Sequence, residues 1–472
     1  MAAMMRAANG QQRAWIALVG LLIVIFLTGG GSRADISSLP LLRGLAALAL
    51  WYGLWGFTKS DLRSHSSALG LAGLTVLLVV SHITPLPPSV WQALPERDLI
   101  VQIDTAAGLG DIWRPLSMDP VGTVNALHAL IVPCAVMILC TRLSDDQLDR
   151  LPGLLLVLAG ASAIIAVLQG LGDPNGPLYL YQVTNNGVPV GLFANRNHQA
   201  VLMAIILPLL AAWHALADPP SRGTRKYLSI GIALFIIPLV LVTGSRAGLL
   251  TTVIAAISVV LLVQRKTSTG PSASSRQLIR RSRSVYVPSQ ALILAVAVLL
   301  VTVLAATVIA GRDEAIDRLI NRDTADEMRL LILPTMKELL ATHWLLGTGF
   351  GSFEAVYKVH EPDSLLFPTY MNHAHNDWLE LILNGGVPAG GLVVVLAAML
   401  LRRAVQVFKR DCAETAHAVA LARLGMIVIG LLLIASIGDY PLRTPIMASI
   451  FAIALILVLR KARQPLPDHA TS

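Results

Sequence analysis

The chain has 472 residues, of which 55% are hydrophobic and only 14% are charged, and its formal net charge is +8 at pH 7. A mean hydropathy of +0.68 lies far outside the balance found in soluble domains. The composition therefore excludes a soluble globular protein and indicates an all-α polytopic membrane protein, with residues 1–472 forming a single membrane domain.

Apolar runs of about 17 or more residues recur along the chain and predict about twelve transmembrane helices. The first run follows Arg6 and Arg13 and resembles a secretory signal, but no small-residue cleavage site follows it. We therefore predict that it is a retained first helix. The predicted spans cover residues 14–30, 40–57, 67–83, 121–140, 152–169, 199–217, 227–243, 247–263, 290–310, 377–401, 418–436 and 443–459.

Basic residues in the predicted loops alternate along the chain and indicate an orientation. The N-terminus, the loop at 264–289 and the residues that follow the last span all lie on the basic side, which the positive-inside rule makes cytoplasmic. Both termini are then cytoplasmic. The loop at 264–289 is rich in arginine but holds one aromatic residue, Tyr286, so it predicts a topology determinant and no nucleic-acid site. Four segments are predicted to lie on the opposite, extracytoplasmic side of the membrane: 84–120, 170–198, 311–376 and 437–442.

Two of these outer segments have sequence patterns of their own. Residues 84–120 carry prolines at both ends, which disfavour a continuous helix and predict an ordered loop. Residues 311–376 form the large loop between predicted helices 9 and 10, and hydrophobic residues from Ile316 to Ile332 recur there at helical spacing, which predicts an amphipathic helix. The later segment Gly347–Gly351 lacks the strand and lysine of a phosphate-binding loop and predicts a glycine-rich turn.

The three cysteines are Cys134, Cys140 and Cys412. Their positions show neither the spacing of a metal site nor an obvious disulfide pairing, so we interpret them as free structural thiols.

The stretch from Asn372 to Glu380 places histidines, amides and carboxylates directly before a long apolar run. His375 is the candidate general base, because imidazole titrates near pH 6.5, and His373 is its rival. These histidines and Asp377 alternate in sequence, but no further ligands are evident, so we predict no metal. Asp377 and Glu380 fit a capping box that starts the tenth span. The glycines and proline between 385 and 391 predict a kink in that helix.

Three arginines lie at the predicted outer helix ends: Arg196, Arg246 and Arg443. The positive-inside rule disfavours arginine on this face, so each requires an explanation. A guanidinium group binds two phosphate oxygens at once, and several of them around a pocket are suited to a pyrophosphate. Alternatively, each arginine extends to lipid headgroups or pairs locally, as Arg443 would with Asp439. The sequence leaves both interpretations open.

Together, these motifs resemble those of the bacterial O-antigen ligase and Wzy polymerase superfamily. The resemblance rests on Asn195–His198, Gly244–Gly248, His375–Asn376 and Asp439–Arg443. The hallmark of the family is a histidine followed by an amide or serine, nine residues and a glycine, which His375, Asn376 and Gly386 fit. A second glycine is common three positions further on, where this chain has Ala389. We interpret that departure as a small packing change.

The resemblance implies a glycosyltransferase of the bacterial inner membrane that uses no metal or cofactor and has its active site on the periplasmic face. Its donor would be a glycan linked to undecaprenyl pyrophosphate, and its acceptor a sugar hydroxyl of lipid A-core. His375 would take the hydroxyl proton, and Arg196 and Arg246 would hold the pyrophosphate, with Arg443, His373 and Asn376 as further substrate contacts. The other partners would be membrane lipids, with no nucleic acid.

Two other functions remain open. A Wzy-type O-antigen or exopolysaccharide polymerase would share the same motifs. A secondary transporter would instead place charges or broken helices near the middle of the membrane, together with an internal repeat, and neither is clear in the sequence.

Overall fold

The computed structural model describes residues 2–263, 330–366, 371–409 and 414–460, most of which are helical. Eight helical stretches in these residues are long and apolar enough to cross a membrane, with residues 120–141 counted as one stretch, and three more helices are apolar but shorter. The prediction of an all-α polytopic membrane protein is confirmed in this part of the chain. The predicted span at 290–310 and most of the predicted amphipathic helix lie outside the described residues, as does Cys412. Cys134 and Cys140 are free thiols, as predicted.

The described residues fall into two compact units. The first unit is drawn from residues 1–144, 320–403 and 432–472, and the second from residues 145–319 and 404–431. The helices, in chain order, are α1 Ala2–Thr28, α2 Leu39–Trp55, α3 Lys59–Ile83, α4 Pro88–Trp91, α5 Asp98–Ala106, α6 Pro120–Ala129, α7 Ile131–Thr141, α8 Asp145–Leu171, α9 Arg196–Ala215, α10 Pro219–Val242, α11 Arg246–Val263, α12 Leu333–His343, α13 Phe353–His360, α14 Asp377–Phe408, α15 Ala416–Ala435 and α16 Pro445–Leu459.

In the first unit, α7 is a central element against which both α2 and α16 pack. The helices approach closely at Gly53 of α2, where an added Cβ would lie 2.7 Å from the side chain of Ile138. Most side chains of α16 are buried, whereas α2 exposes large apolar residues such as Trp55, which is 79% exposed. Such exposed apolar surface is expected where helices face lipid.

The prolines of residues 84–120 do mark an ordered loop, as predicted. Two short antiparallel strands, β1 Pro85–Leu86 and β2 Arg114–Pro115, close it. Trp91 is buried and donates a hydrogen bond to the carbonyl of Ile112 at 2.9 Å. Arg114 donates to the carboxylate of Asp104 at 2.6 Å, and this hydrogen bond holds the pKa of Asp104 below its ordinary value. The loop is thus fixed by buried polar contacts in addition to its prolines.

Helix α14 is kinked at Gly386, whose φ of 57° and ψ of −155° are not helical. The kink leaves the carbonyls of Leu383 and Asn384 without helical partners, and the backbone N–H groups of Thr348 and Gly349 donate to them at 2.8 and 2.9 Å. In return, the N–H of Val387 donates to the carbonyl of Leu345 at 3.1 Å. The predicted glycine-rich turn therefore exists, and its backbone satisfies the broken helix.

Gly386 cannot be replaced without strain, and Gly386→Ala should destabilise the protein by several kcal/mol. Its positive φ disfavours any side chain, and an added Cβ would lie 2.5 Å from the carbonyl oxygen of Leu345. Unfolding of the purified variant by sodium dodecyl sulfate measures this effect. Gly391→Ala is the matched control, because an added Cβ there has no atom within 4 Å. Equal stability of the two variants would contradict a strained kink.

In the second unit, α9 is the central helix, with 83% of its apolar stretch buried, and α8, α10 and α11 pack around it. Helix α11 approaches α9 closely because Gly248 lies against Ala200. A buried polar set holds the segment that enters α9. Gln169 accepts hydrogen bonds from the backbone of Val190 and Gly191, and Ser162 accepts one from Leu192.

Candidate functional site

Helix α14 begins at Asp377, as predicted, but the capping box is wrong. The cap is Asn376, whose side-chain oxygen accepts hydrogen bonds from the N–H groups of Trp378 and Leu379 at 3.0 and 3.1 Å. An amide at the N-cap satisfies the first unpaired donors of a helix, so Asn376 has a structural role. Its assignment as a substrate contact stays a prediction. The carboxylates of Asp377 and Glu380 are left for other partners.

His375 lies just before α14, in a backbone conformation that few non-glycine residues adopt, with φ of 49°. Its Nδ1 lies 3.5 Å from the carboxylate of Asp439, and its ring meets the ring of Tyr440 edge-on at 4.8 Å. The side chain is 18% exposed, whereas that of Asp439 is 3% exposed. A buried carboxylate beside one ring nitrogen favours the tautomer that leaves the other nitrogen able to accept a proton.

His373 has a carboxylate partner of its own. Its Nδ1 lies 3.1 Å from the carboxylate of Glu380. The centre of its ring lies 4.5 Å from that of Tyr440, the same tyrosine that His375 contacts. Glu380 also accepts a hydrogen bond from the backbone N–H of Ala374 at 3.0 Å. One carboxylate therefore fixes both the ring and the backbone that lead into His375, and the structure brings the two candidate histidines together around one tyrosine.

Arg443 pairs with α14 and not with Asp439, so the local pairing that the sequence suggested is wrong in its partner. Its Nε donates to Asp377 at 3.0 Å, and a terminal nitrogen lies 3.4 Å from Glu380. Burial alone would lower the pKa of Arg443, but the two carboxylates outweigh it and raise that pKa above its ordinary value. Ser436 completes the network by donating to Asp377 at 3.0 Å. The role of Arg443 as a phosphate contact stays a prediction.

A cavity of about 560 Å³ adjoins this network within the first unit. Its lining includes polar residues such as His373 and Asn372, and apolar side chains of α2, α3, α6, α7 and α16. The charged groups that line it are three guanidinium groups and four carboxylates, namely Arg33, Arg43, Arg443, Asp35, Glu354, Asp377 and Glu380. A cavity lined by both charged, hydrogen-bonding groups and apolar side chains suits a polar group carried on a lipid.

The sequence interpretation missed Arg33 and Arg43. Arg33 donates two hydrogen bonds to Asp35, at 2.9 and 3.0 Å, and Arg43 donates to Asn125 at 2.8 Å. Arg43 falls inside a predicted span, and a charge within an apolar run is itself a pointer to a functional or paired site.

Arg196 and Arg246 belong to the second unit, where they are the first residues of α9 and α11. These two helices pack against each other, with Gly248 next to Ala200. Both arginines therefore lie at the N-terminal ends of one helix pair, which also favours anions. Gly244, with φ of 63°, makes the tight turn before Arg246 that the sequence predicted. That these arginines face His375 stays a prediction.

Within the described residues, no group of three or more histidine, cysteine, aspartate or glutamate side chains is arranged to hold a metal ion. The histidines of the candidate site instead contact carboxylates of the same unit. Metal independence stays a prediction.

Comparison with known proteins identifies a region that contains part of this site. Residues 230–394 match the family model described as O-Antigen ligase, and they include Arg246, His375 and Gly386. No curated protein gives a significant match. Arg196 and Arg443, which also carry the resemblance, lie outside the matched residues. The resemblance inferred from the motifs is confirmed over residues 230–394: this part of the chain matches the O-antigen ligase family, whose members are membrane enzymes that transfer glycans as ligases or as Wzy polymerases.

Proposed function

We propose that this protein is a metal-independent glycosyltransferase of the O-antigen ligase type, which moves a glycan from undecaprenyl pyrophosphate to a sugar hydroxyl of lipid A-core on the periplasmic face of the inner membrane. The observation that carries the proposal is the pairing of His375, which lies within the matched residues, with the buried Asp439, next to a cavity that is lined by His373 and Asp377.

His375 acts as the general base in this reaction. With Asp439 beside Nδ1, Nε2 takes the proton of the acceptor hydroxyl. The acceptor oxygen then forms a bond to the anomeric carbon of the donor sugar, and the bond from that carbon to the pyrophosphate oxygen breaks. The imidazolium that forms is stabilised by Asp439, so the carboxylate contributes both orientation and charge.

The leaving group of this reaction is an anionic lipid pyrophosphate. Arg196 and Arg246 bind it, because guanidinium groups remain charged and contact two phosphate oxygens at once. Their positions at the N-terminal ends of α9 and α11 add the favourable dipole of two helices.

The acceptor sugar binds in the cavity of the first unit. Four carboxylates against three guanidinium groups make this cavity a poor environment for a pyrophosphate. The same groups, with Asn125, Asn372 and His373, are suited to sugar hydroxyls, which both donate and accept hydrogen bonds. The apolar side chains of its lining accommodate the lipid that carries the acceptor.

Complementation in two bacterial hosts, one lacking its O-antigen ligase and one lacking its polymerase, tests the proposal. Restored attachment of long chains to lipid A-core is expected, because the pattern of His375 and Asn376 resembles that of the ligases. Restored chain growth without attachment would instead assign the polymerase function. Two negative results together would overturn glycan transfer altogether. The protein, present at normal level, would repair neither host, and its deletion from the source organism would leave the exopolysaccharide unchanged.

A further inference from the structure

A second cavity of the first unit lies away from the candidate site. It has a volume of about 290 Å³ and is lined by Asn9 and Arg13 of α1, by Tyr52 and Trp55 of α2, and by Arg142 after α7. Arg43, which lines the larger cavity, is nine residues before Tyr52 on the same helix. At about 1.5 Å per residue, the nearest lining residues of the two cavities are roughly 14 Å apart along α2, and the two linings share no residue.

The charges of this cavity are of one sign. Its lining includes two arginines, Arg13 and Arg142, and no carboxylate. The amide of Asn9, the hydroxyl of Tyr52 and the indole N–H of Trp55 are further lining groups that can donate a hydrogen bond. The cavity therefore attracts an anion, in contrast to the larger one, where carboxylates outnumber guanidinium groups.

Arg142 is held in place before any ligand binds. Its guanidinium group lies 5.5 Å from the centre of the Tyr52 ring, and it donates to the carbonyl of Tyr52 at 3.4 Å. Gly56 leaves the space for this arrangement, because an added Cβ would lie 2.6 Å from the central carbon of the guanidinium group. A group that binds without first having to be ordered loses less free energy on binding.

We propose that this cavity binds the phosphate group of an anionic membrane lipid, with a headgroup such as that of phosphatidylglycerol. The neighbouring surface supports a lipid over a free phosphate. Trp55 is 79% exposed and packs edge-on against Trp51, and such aromatic residues occupy the membrane interface. Basic pockets between transmembrane helices are recognised by anionic headgroups, whereas an arginine that only fixes topology needs neither a cavity nor a glycine beside it.

The test uses the purified full-length protein in a neutral detergent and measures its melting temperature. Titration with short-chain phosphatidylglycerol should give a saturable rise, because a ligand that binds the folded state stabilises it. Phosphatidylcholine, whose choline group compensates its phosphate, should give a much smaller rise. Inorganic phosphate should give none at the same concentration, and an equal rise with inorganic phosphate would overturn the lipid assignment.

Variants locate the effect. The double change Arg13→Gln and Arg142→Gln should abolish the rise, and Gly56→Val should weaken it while keeping both arginines, because it displaces the Arg142 side chain. Arg63→Gln is the matched control, since Arg63 is an exposed arginine of the same unit outside this cavity. A rise that persists in the double variant, or that the control loses equally, would contradict the site. Each result stands whether or not the protein transfers glycans.

Discussion

His375→Ala should lower the rate of glycan transfer by about 10²–10⁴-fold, which is the usual contribution of a general base. The reason is that Asp439 orients this imidazole and stabilises its charged form, so no water molecule replaces it well. The measurement is the transfer of the native lipid-linked glycan in membranes of the source organism that contain each variant at equal level.

His373→Ala is the comparison that makes this result specific. Both rings contact Tyr440, but His373 pairs with Glu380, a residue that also holds the backbone of Ala374 and contacts Arg443. Its loss should slow transfer by a smaller factor. If His373→Ala is inactive and His375→Ala transfers glycan at a nearly normal rate, the general base is His373 and not His375. Asp439→Asn should also lower the rate of transfer, because a neutral amide cannot stabilise the charge that forms on the ring of His375 during transfer.

The general architecture could be predicted from the sequence because a bilayer imposes simple requirements on a chain. Apolar runs long enough to span it are evident in the sequence, and within the part of the chain that the structure describes, eight long apolar helical stretches and three shorter ones appear where they were predicted. The kink at Gly386 was also predictable, because glycine and proline within a helix mark a break. The segment that forms hydrogen bonds with the kinked backbone could not be predicted. The backbone of Thr348 and Gly349 satisfies it from a distant part of the chain, and backbone hydrogen bonds between distant segments leave no pattern in composition.

The candidate site could be predicted only in part for a related reason. Residue types identified His375 and the arginines, but pairing depends on which distant side chains meet. Asp377 and Glu380 have the spacing of a capping box, yet Asn376 caps the helix and the two acids instead pair with Arg443. Asp439 likewise lies next to His375 because of distant backbone contacts. The backbone N–H of Asp377 donates to the carbonyls of Ser436 and Asp439, at 2.9 and 3.3 Å.

The role of Arg443 is the point on which sequence and structure differ most, and Arg443→Met should decide it. Removal of the guanidinium group leaves Asp377 and Glu380 without a countercharge, and these side chains are 11% and 1% exposed. Breaking a buried ion pair from one side costs about 3–5 kcal/mol, and the lower end is expected because Arg443 itself is 23% exposed. Unfolding of the purified variant by sodium dodecyl sulfate measures the loss in free energy of unfolding.

Two further variants separate a structural role from phosphate binding. Adding Asp377→Asn and Glu380→Gln to Arg443→Met removes the uncompensated charges, so it should recover much of the lost stability, because the penalty arises from the buried carboxylates. Arg443→Lys keeps a positive charge beside them and should keep most of the stability. If Arg443→Lys is as stable as the original protein but no longer binds the lipid-linked donor, the forked guanidinium group contacts phosphate, and the structural interpretation fails. If it binds the donor normally, Arg443 holds the start of α14, and with it the loop that carries His375, in place.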